Sequence, residues 1–214
     1  MERRTPVYKY LHIMNTHNPM VVDERCQYSG KPSSMTRNSL TIQSFCTLDT
    51  LSRLLDRMKE MGVYDNTLII IHGDHGGWVP NYRQGPPATL VSGETAPVWM
   101  TSLASPLLAI KKPNDKAPFR SSEIYASLLD IPATIADIMD WDADFKYQSL
   151  EELKNNGAGT RERFFRFYFW QRDAWEADYT NPIQEFRIGG SHYEAEWKLT
   201  RVFYPPQHNR GLTQ

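Results

Sequence analysis

The chain has 214 residues, of which 40% are hydrophobic and 12% are aromatic. This apolar content can form a sizeable buried core, which excludes an intrinsically disordered chain. The formal net charge of -1 gives the molecule as a whole no attraction to nucleic acid or to an anionic membrane. We therefore expect no nucleic-acid partner, and any anionic ligand must be bound by a local site.

The sequence contains no run of about 18 apolar residues, so we expect no helix that spans a membrane. The first six residues lack the apolar core of a signal peptide, and a strand-like run follows them directly. Such an abrupt start indicates a piece of a longer protein. Any membrane attachment would then lie in an absent upstream segment.

The apolar and aromatic run of residues 8–14 predicts a first strand, which gives way to a polar loop at residues 15–19. An amphipathic helix is predicted over residues 39–61, because its apolar residues recur mostly at three and four positions and Gly62 follows them. The continuous run of residues 67–71 is typical of a strand buried on both faces of a parallel sheet. Strand, helix and strand would form one right-handed crossover unit.

Short apolar runs in residues 96–110 end at Lys111 and Lys112. Residues 121–139 are predicted to be helical, with Pro132 either dividing the helix or beginning its second half. Strands and helices alternate up to this point. The fold class that we predict is therefore α/β, with a mainly parallel sheet flanked by helices.

The composition changes after about residue 144. Three segments that follow are typical of strands joined by turns: residues 163–170, 183–188 and 197–204. They predict a small C-terminal antiparallel sheet beside the main one. We therefore divide the chain into a main domain of residues 1–144 and a small antiparallel β subdomain of residues 145–214.

The two cysteines, Cys26 and Cys46, leave two interpretations open. They are either unrelated thiols or a disulfide that closes a loop of about 20 residues. A disulfide would stabilise the fold by about 3 kcal/mol. It would also indicate an oxidising compartment.

The sharpest local feature is the sequence Gly-Asp-His-Gly-Gly at residues 73–77, directly after a hydrophobic strand. Ligand sites in open α/β sheets lie beyond the carboxyl ends of the strands. Asp74 offers a carboxylate oxygen and His75 an imidazole nitrogen, and both suit zinc or manganese. The glycines allow a sharp turn and a close approach of a ligand. An arbitrary Asp-His pair at a strand end is more often a solvated turn, so the pair alone does not identify a metal site.

His17 lies in the polar loop after the first predicted strand. A lone histidine in a loop is more often a surface residue, but if the two strands are neighbours, both loops open onto one edge of the sheet.

His12 lies inside the strand and is predicted to be a core histidine. Lys111 and Lys112 would ordinarily be a solvated pair, but beside the same cleft an ammonium group could hold an anionic ester.

Four segments, in order along the chain, resemble the sulfatase family of the alkaline phosphatase superfamily. They are Tyr10–Pro19, similar to a strand followed by an H-x-P loop; Gly62–Gly76, similar to G-x-x-D-N-T-x-I-I-x-x-S-D-H-G with Gly73 in place of the Ser; Pro106–Pro113, similar to P-L-I-I-K-x-P; and Leu129–Ile138, similar to D-I-x-P-T-I-x-D-L. The matched part covers about residues 7–150. Four collinear matches are far more specific than any one of them.

The resemblance implies that Asp74 and His75 bind a divalent metal (zinc, manganese or calcium) beside a nucleophile. His17 matches a histidine that contacts the transferred group or its metal, which makes it our candidate catalytic residue. Lys111 or Lys112 matches a lysine near the substrate, an anionic ester.

The resemblance also implies an acidic ligand and a nucleophile in an N-terminal half, and the stretch before Val7 has no room for them. Cys26 follows the His17 loop and comes too late in the chain to be that nucleophile. We therefore expect the C-terminal half of a sulfatase-like domain, inactive by itself. In the full-length protein, the nucleophile would attack a sulfate or phosphate ester and form a covalent intermediate.

Two alternatives to a sulfatase stay open. Phosphoethanolamine and phosphoglycerol transferases of cell envelopes share these motifs, and the possible pairing of the cysteines favours such an extracytoplasmic protein, in the periplasm or the cell envelope. The other alternative is a catalytically silent structural or interaction module, with an interface that includes Trp170, Trp175 and Tyr179.

Overall fold

The computed structural model describes residues 6–77, 93, 99–157, 161–168, 182–189 and 196–204. The chain divides into two compact units. The first comprises Met1–Thr67 and Pro113–Asp115, and the second comprises Leu68–Lys112 and Lys116–Gln214. The boundary predicted at residue 144 stays a prediction.

The first unit packs one long helix against two short strands. β1 (Met20–Val22) runs antiparallel to β2 (Tyr28–Ser33), and the helix α1 (Arg37–Glu60) follows. The hydroxyl of Thr36 caps the start of α1 by accepting a hydrogen bond from a first-turn backbone N–H. Beyond its end, Gly62 takes the left-handed conformation, with φ of 67°. The predicted helix is confirmed.

The face of α1 that packs against β1 is not its most apolar face. Gln43 is buried there, and its amide donates a hydrogen bond of 2.9 Å to a backbone carbonyl of β1. Cys46, also buried, forms a disulfide with Cys26. By contrast, Phe45 and Leu48 on the predicted apolar stripe are 63% and 54% exposed. The helix is therefore held to its strands by a polar side chain and a covalent cross-link.

The second unit contains the remaining elements. In chain order they are β3 (Ile69–His72), α2 (Trp99–Leu103), β4 (Leu108–Lys111), a 3-10 turn (Leu128–Asp130), α3 (Ile131–Met139), α4 (Leu150–Asn155), β5 (Arg163–Phe167), β6 (Ile183–Gly189) and β7 (Glu196–Phe203). β3 and β4 form a two-stranded antiparallel ribbon, and β5, β6 and β7 form an antiparallel sheet in that order. The three strands predicted at the C-terminal end are thus present.

The core of the second unit lies between α2 and the inner face of the three-stranded sheet. Its buried members are Met100, Leu103, Phe167, Phe186, Ile188 and Trp197. Burial of each such side chain contributes about 1.5–3 kcal/mol. This core fixes α2, which in turn holds the loop after β3.

The predicted mainly parallel sheet is wrong. Every strand pair in the described residues is antiparallel, and the sheets have two, two and three strands. Residues 8–14 form no strand, and Tyr8 is 83% exposed. A strand persists only where a neighbour pairs with its backbone N–H and C=O groups, and no strand of the described chain pairs with this segment.

The structure corrects three further predictions. The right-handed crossover unit is absent from the described chain, because its first strand does not form and β3 pairs with an antiparallel neighbour. His12, predicted to be a core residue, is exposed. The helix predicted over residues 121–139 begins only at Leu128, where Ser127 caps the 3-10 turn, and Pro132 lies in the first turn of α3.

Within the parts of the chain that the structure describes, no helix combines the length and the hydropathy required to cross a bilayer.

Candidate functional site

The loop that carries Asp74 and His75 is held at both ends by the segment that contains α2. Its backbone leaves β3 at His72. The N–H of Gly73 donates a hydrogen bond of 3.0 Å to the carbonyl of Leu107, and the N–H of Gly76 donates one of 2.8 Å to the carbonyl of Leu103. Because Leu103 belongs to the buried core, the loop is attached to the best-packed part of the second unit.

Glycine is required at position 76 by a close backbone contact. A Cβ placed there would lie 1.8 Å from the carbonyl oxygen of Ser102 and 2.8 Å from that of Ser105. A Cβ at Gly73 would lie 2.9 Å from the carbonyl oxygen of His75. These neighbours are backbone atoms, which cannot rotate away as a flexible side chain can. Both glycines therefore allow the tight path of the loop.

The two candidate ligands lie side by side on this loop. His75 Nε2 is 3.9 Å from Asp74 Oδ2, and the backbone N–H of His75 donates a hydrogen bond of 3.0 Å to Asp74 Oδ1. The side chain of Asp74 is 87% exposed and that of His75 is 46% exposed. Both side chains are therefore accessible to an ion from solvent.

The histidine has the tautomer that metal ligation needs. Its Nδ1 is 2.6 Å from the carbonyl oxygen of Gly76. A carbonyl only accepts hydrogen bonds, so Nδ1 carries a proton, and in the neutral ring Nε2 carries the lone pair. Metal-binding histidines commonly donate their second ring N–H to a backbone carbonyl in this way.

Asp74 and His75 fit part of a metal site. Two ligands of one tetrahedral zinc ion lie about 3.4 Å apart, and the 3.9 Å between Asp74 Oδ2 and His75 Nε2 is close to that separation. In the described part of the chain, no group of three or more His, Cys, Asp or Glu side chains could hold a metal ion. The pair supplies two ligands, and further ligands would have to come from elsewhere.

Lys111 and Lys112 lie at the other end of the ribbon, where Lys111 is the last residue of β4 and Lys112 follows it. In the antiparallel pairing, Lys111 is opposite Ile69, whereas His72 is opposite Leu108. Three residue steps along β3 amount to about 10 Å. The two lysines are therefore separated along the ribbon from the loop that carries Asp74 and His75.

Lys112 has a carboxylate partner that the sequence did not reveal. Its Nζ lies 3.0 Å from Glu151 Oε2 on α4, and Lys154 approaches the same carboxylate at 3.8 Å. The hydrogen bond and the charge of Lys112 lower the pKa of Glu151 below its ordinary value. No sequence signal links Lys112 and Glu151, which are 39 positions apart.

His17 lies in the first unit, in an exposed turn. Its backbone N–H donates a hydrogen bond of 2.9 Å to the carbonyl of Met14, and its Nδ1 lies 2.6 Å from the carbonyl oxygen of Asn18. The latter contact again assigns the proton to Nδ1. The meeting of His17 with Asp74 and His75 in one pocket stays a proposal.

Comparison with known proteins identifies a family and several similar proteins. The Sulfatase family model matches residues 2–141. Lipoteichoic acid synthases of Staphylococcus aureus strains USA300, NCTC 8325 / PS 47 and MRSA252 are each 29% identical over 136 residues, which is 62% of this chain and 20% of the relative. The chain thus spans about a fifth of the length of these relatives. No solved structure matches.

Proposed function

The chain belongs to the sulfatase family, and on that premise we propose that it supplies metal ligands to an enzyme that cleaves or transfers sulfate or phosphate esters. The observation that carries the proposal is the Asp74–His75 pair on a loop fixed by hydrogen bonds at both ends. The nucleophile and the remaining ligands would come from other parts of the protein.

Asp74 and His75 would hold a divalent metal (zinc, manganese or calcium) through a carboxylate oxygen and Nε2. A bound metal would supply positive charge that lowers the pKa of a nucleophile and offsets negative charge on the transferred group. The loop contributes rigidity, because Gly76 keeps its backbone against the end of α2. The Gly76 carbonyl fixes the His75 tautomer.

His17 is our candidate for the group that contacts the transferred group or protonates a leaving oxygen. Its support is the resemblance of its loop to the H-x-P motif, together with an Nδ1 contact that in the neutral ring leaves the lone pair on Nε2. Lys111 and Lys112 are candidates for binding an anionic ester. Of the two, Lys112 would first have to exchange Glu151 for the substrate.

Two observations favour an envelope transferase over a hydrolase. The relatives are named lipoteichoic acid synthases, and a synthase builds a product by joining groups. The disulfide between Cys26 and Cys46 suits an oxidising compartment outside the cytoplasm. We therefore propose an extracytoplasmic protein that takes part in phosphoglycerol or phosphoethanolamine transfer. The silent-module alternative relies on Trp170, Trp175 and Tyr179, which lie outside the described residues.

The test of the metal proposal is Mn²⁺ titration of the 214-residue chain, followed by paramagnetic broadening of the histidine ring signals in NMR spectra. This measurement detects weak binding, as expected for two ligands. We expect the His75 signal to broaden first, and His75→Gln or Asp74→Asn to abolish the specific broadening at this loop.

His72→Gln is the matched control, because His72 lies on the same backbone segment and its Nδ1 faces the Gly73 carbonyl at 3.2 Å. This variant should bind Mn²⁺ as the unchanged chain does. Broadening centred on His72, or unchanged broadening in Asp74→Asn, would refute the assignment of ligands. In the longer protein, full activity of Asp74→Ala would refute the proposed reaction.

A further inference from the structure

The outer face of the three-stranded sheet carries cations and aromatic rings. Strand alternation and cross-strand register place six cationic or aromatic side chains there, which define what we call the basic face: Phe164, Arg166, Arg187, Lys198, Arg201 and Phe203. Ile183 and the acidic Glu185 lie on the same side of the sheet. The opposite face packs onto the core through Phe186 and Trp197. The basic face is therefore the solvent-facing side of a sheet whose other side packs against the buried core.

A β-bulge brings two of the cations onto one face. Phe186 pairs with Leu199 but Glu185 pairs with Arg201, so Thr200 is the extra residue in β7. The Thr200 hydroxyl donates a hydrogen bond of 3.0 Å to the Glu185 carbonyl. Residues three apart in a regular strand lie on opposite faces, and the bulge changes this phase. As a result, Lys198 and Arg201 both point outward.

The charges of the described side chains on this face do not cancel. Arg166 is paired with Glu185 at 2.9 Å, and Arg187 is paired with Glu162 at 2.7 Å. Among the described residues, neither Lys198 nor Arg201 takes part in a salt bridge. These two cations leave a local excess of positive charge on a chain whose net charge is -1.

One cross-strand pair brings like charges together, and Glu162 offsets only the charge of Arg187. Arg187 and Lys198 are directly opposite each other in the ladder, and like charges in this arrangement destabilise a sheet. Arg201 lies further along the face, with its guanidinium 4.6 Å from the centre of the Phe203 ring. An anion over the face would relieve the repulsion and neutralise the cations.

Exposed aromatic rings accompany the cations. Phe164, opposite Arg187, is 55% exposed. Tyr168 follows the last residue of β5, continues the outward set of Phe164 and Arg166, and is 44% exposed. Aromatic side chains beside lysine and arginine are typical of surfaces that lie at the interface between lipid headgroups and water.

We propose that the basic face docks onto an anionic phospholipid surface. Lys198 and Arg201 would contact the headgroup phosphates, while Phe164 and Tyr168 would enter the interfacial layer. A soluble anionic polymer would satisfy the charges but would leave the exposed rings without an apolar environment, so the combination favours a membrane surface. This inference does not depend on the proposed chemistry at Asp74 and His75.

The test is co-sedimentation of the 214-residue chain with vesicles of equimolar phosphatidylglycerol and phosphatidylcholine, and with vesicles of phosphatidylcholine alone. We expect binding to the anionic vesicles that weakens as salt is added. The double variant K198Q/R201Q should lose about thirtyfold in apparent affinity, or about fivefold for each charge. Phe164→Ser should weaken binding while its dependence on salt is retained.

The control variant R25Q/K31Q removes two exposed cations from the first unit, so it changes the net charge equally. It should bind anionic vesicles as the unchanged chain does, and circular dichroism should show both double variants to be folded. Equal loss in both double variants, or no preference for anionic vesicles, would overturn the proposal. Binding to soluble polyphosphate without binding to vesicles would also overturn it.

Discussion

Arg161 donates a hydrogen bond of 2.7 Å from Nη1 to Oδ2 of Asp130, whose carboxylate is fully buried at the start of α3. The same oxygen accepts a hydrogen bond of 2.7 Å from the backbone N–H of Ser127. Within the described chain, the other oxygen of Asp130 meets no donor. Arg161 lies two residues before the start of β5, so this ion pair joins the helical part of the second unit to its sheet.

Replacement of Asp130 should therefore destabilise the second unit. Asp130→Ala leaves the Arg161 guanidinium, only 22% exposed, without its partner. Removal of one member of a buried pair costs about 3 kcal/mol or more. Urea unfolding followed by circular dichroism measures the loss. Asp137→Ala, at an exposed position of α3, is the control and should change stability by less than about 0.5 kcal/mol; equal losses would contradict this role for the pair.

Gly76→Ala should displace the loop that carries Asp74 and His75. The new methyl group would overlap the carbonyl oxygen of Ser102, and such overpacking costs about 3 kcal/mol. Thermal unfolding measures the cost, and loss of the Mn²⁺ effect on the His75 signal measures the displacement. Because the clash is with backbone, Ser102→Ala should be nearly neutral by itself. Rescue of Gly76→Ala by Ser102→Ala would contradict the explanation.

Reduction of the Cys26–Cys46 disulfide should destabilise the first unit by about 3 kcal/mol, because the cross-link closes a loop with a sequence separation of 20. The melting temperature in dithiothreitol measures this loss. The double variant C26S/C46S should melt at the lower temperature with or without dithiothreitol. A thiol assay on the denatured, unreduced chain should find no free cysteine, and two free thiols would rule out the cross-link.

The pKa of Glu151 is lowered by its hydrogen bond with Lys112, by the charge of Lys112 and then by that of Lys154. A carboxylate with a lowered folded-state pKa stabilises the fold above its unfolded-state pKa. For Glu151 this contribution to stability begins to decrease as the pH falls below about 4.5, the ordinary pKa of the group. It is lost once the pH has fallen through the lowered folded-state pKa. The side chain is 46% exposed, so the contribution to stability is under about 1 kcal/mol.

Lys112→Gln should raise the pKa of Glu151 toward its ordinary value, as followed by NMR titration of the carboxyl carbon. Lys154→Gln is the matched control, because Lys154 is 3.8 Å from the carboxylate whereas Lys112 is 3.0 Å away. The control should move the pKa less. A larger effect of Lys154→Gln would mean that Lys112 is not the main partner.

The sequence by itself determined the elements whose signals are local. The apolar period and the residues at each end specify α1. A β-branched run specifies β3, and aromatic segments separated by turn residues specify the C-terminal strands. The Asp74–His75 motif and its glycines could also be found locally, because a tight loop requires glycine wherever it lies in the fold. These features depend on hydrogen bonds and steric limits within a few residues.

Only the tertiary structure decided which surfaces meet. The direction of β4 beside β3 depends on how the intervening chain returns, and this antiparallel pairing separates Lys111 from the Asp74–His75 loop. The packing face of α1 was decided by Gln43 and the disulfide rather than by the apolar stripe. The bond between Lys112 and Glu151 and the contact of Gly76 with the Ser102 carbonyl join distant parts of the chain. Strand partners and long-range contacts arise from packing in three dimensions, for which a local pattern carries no information.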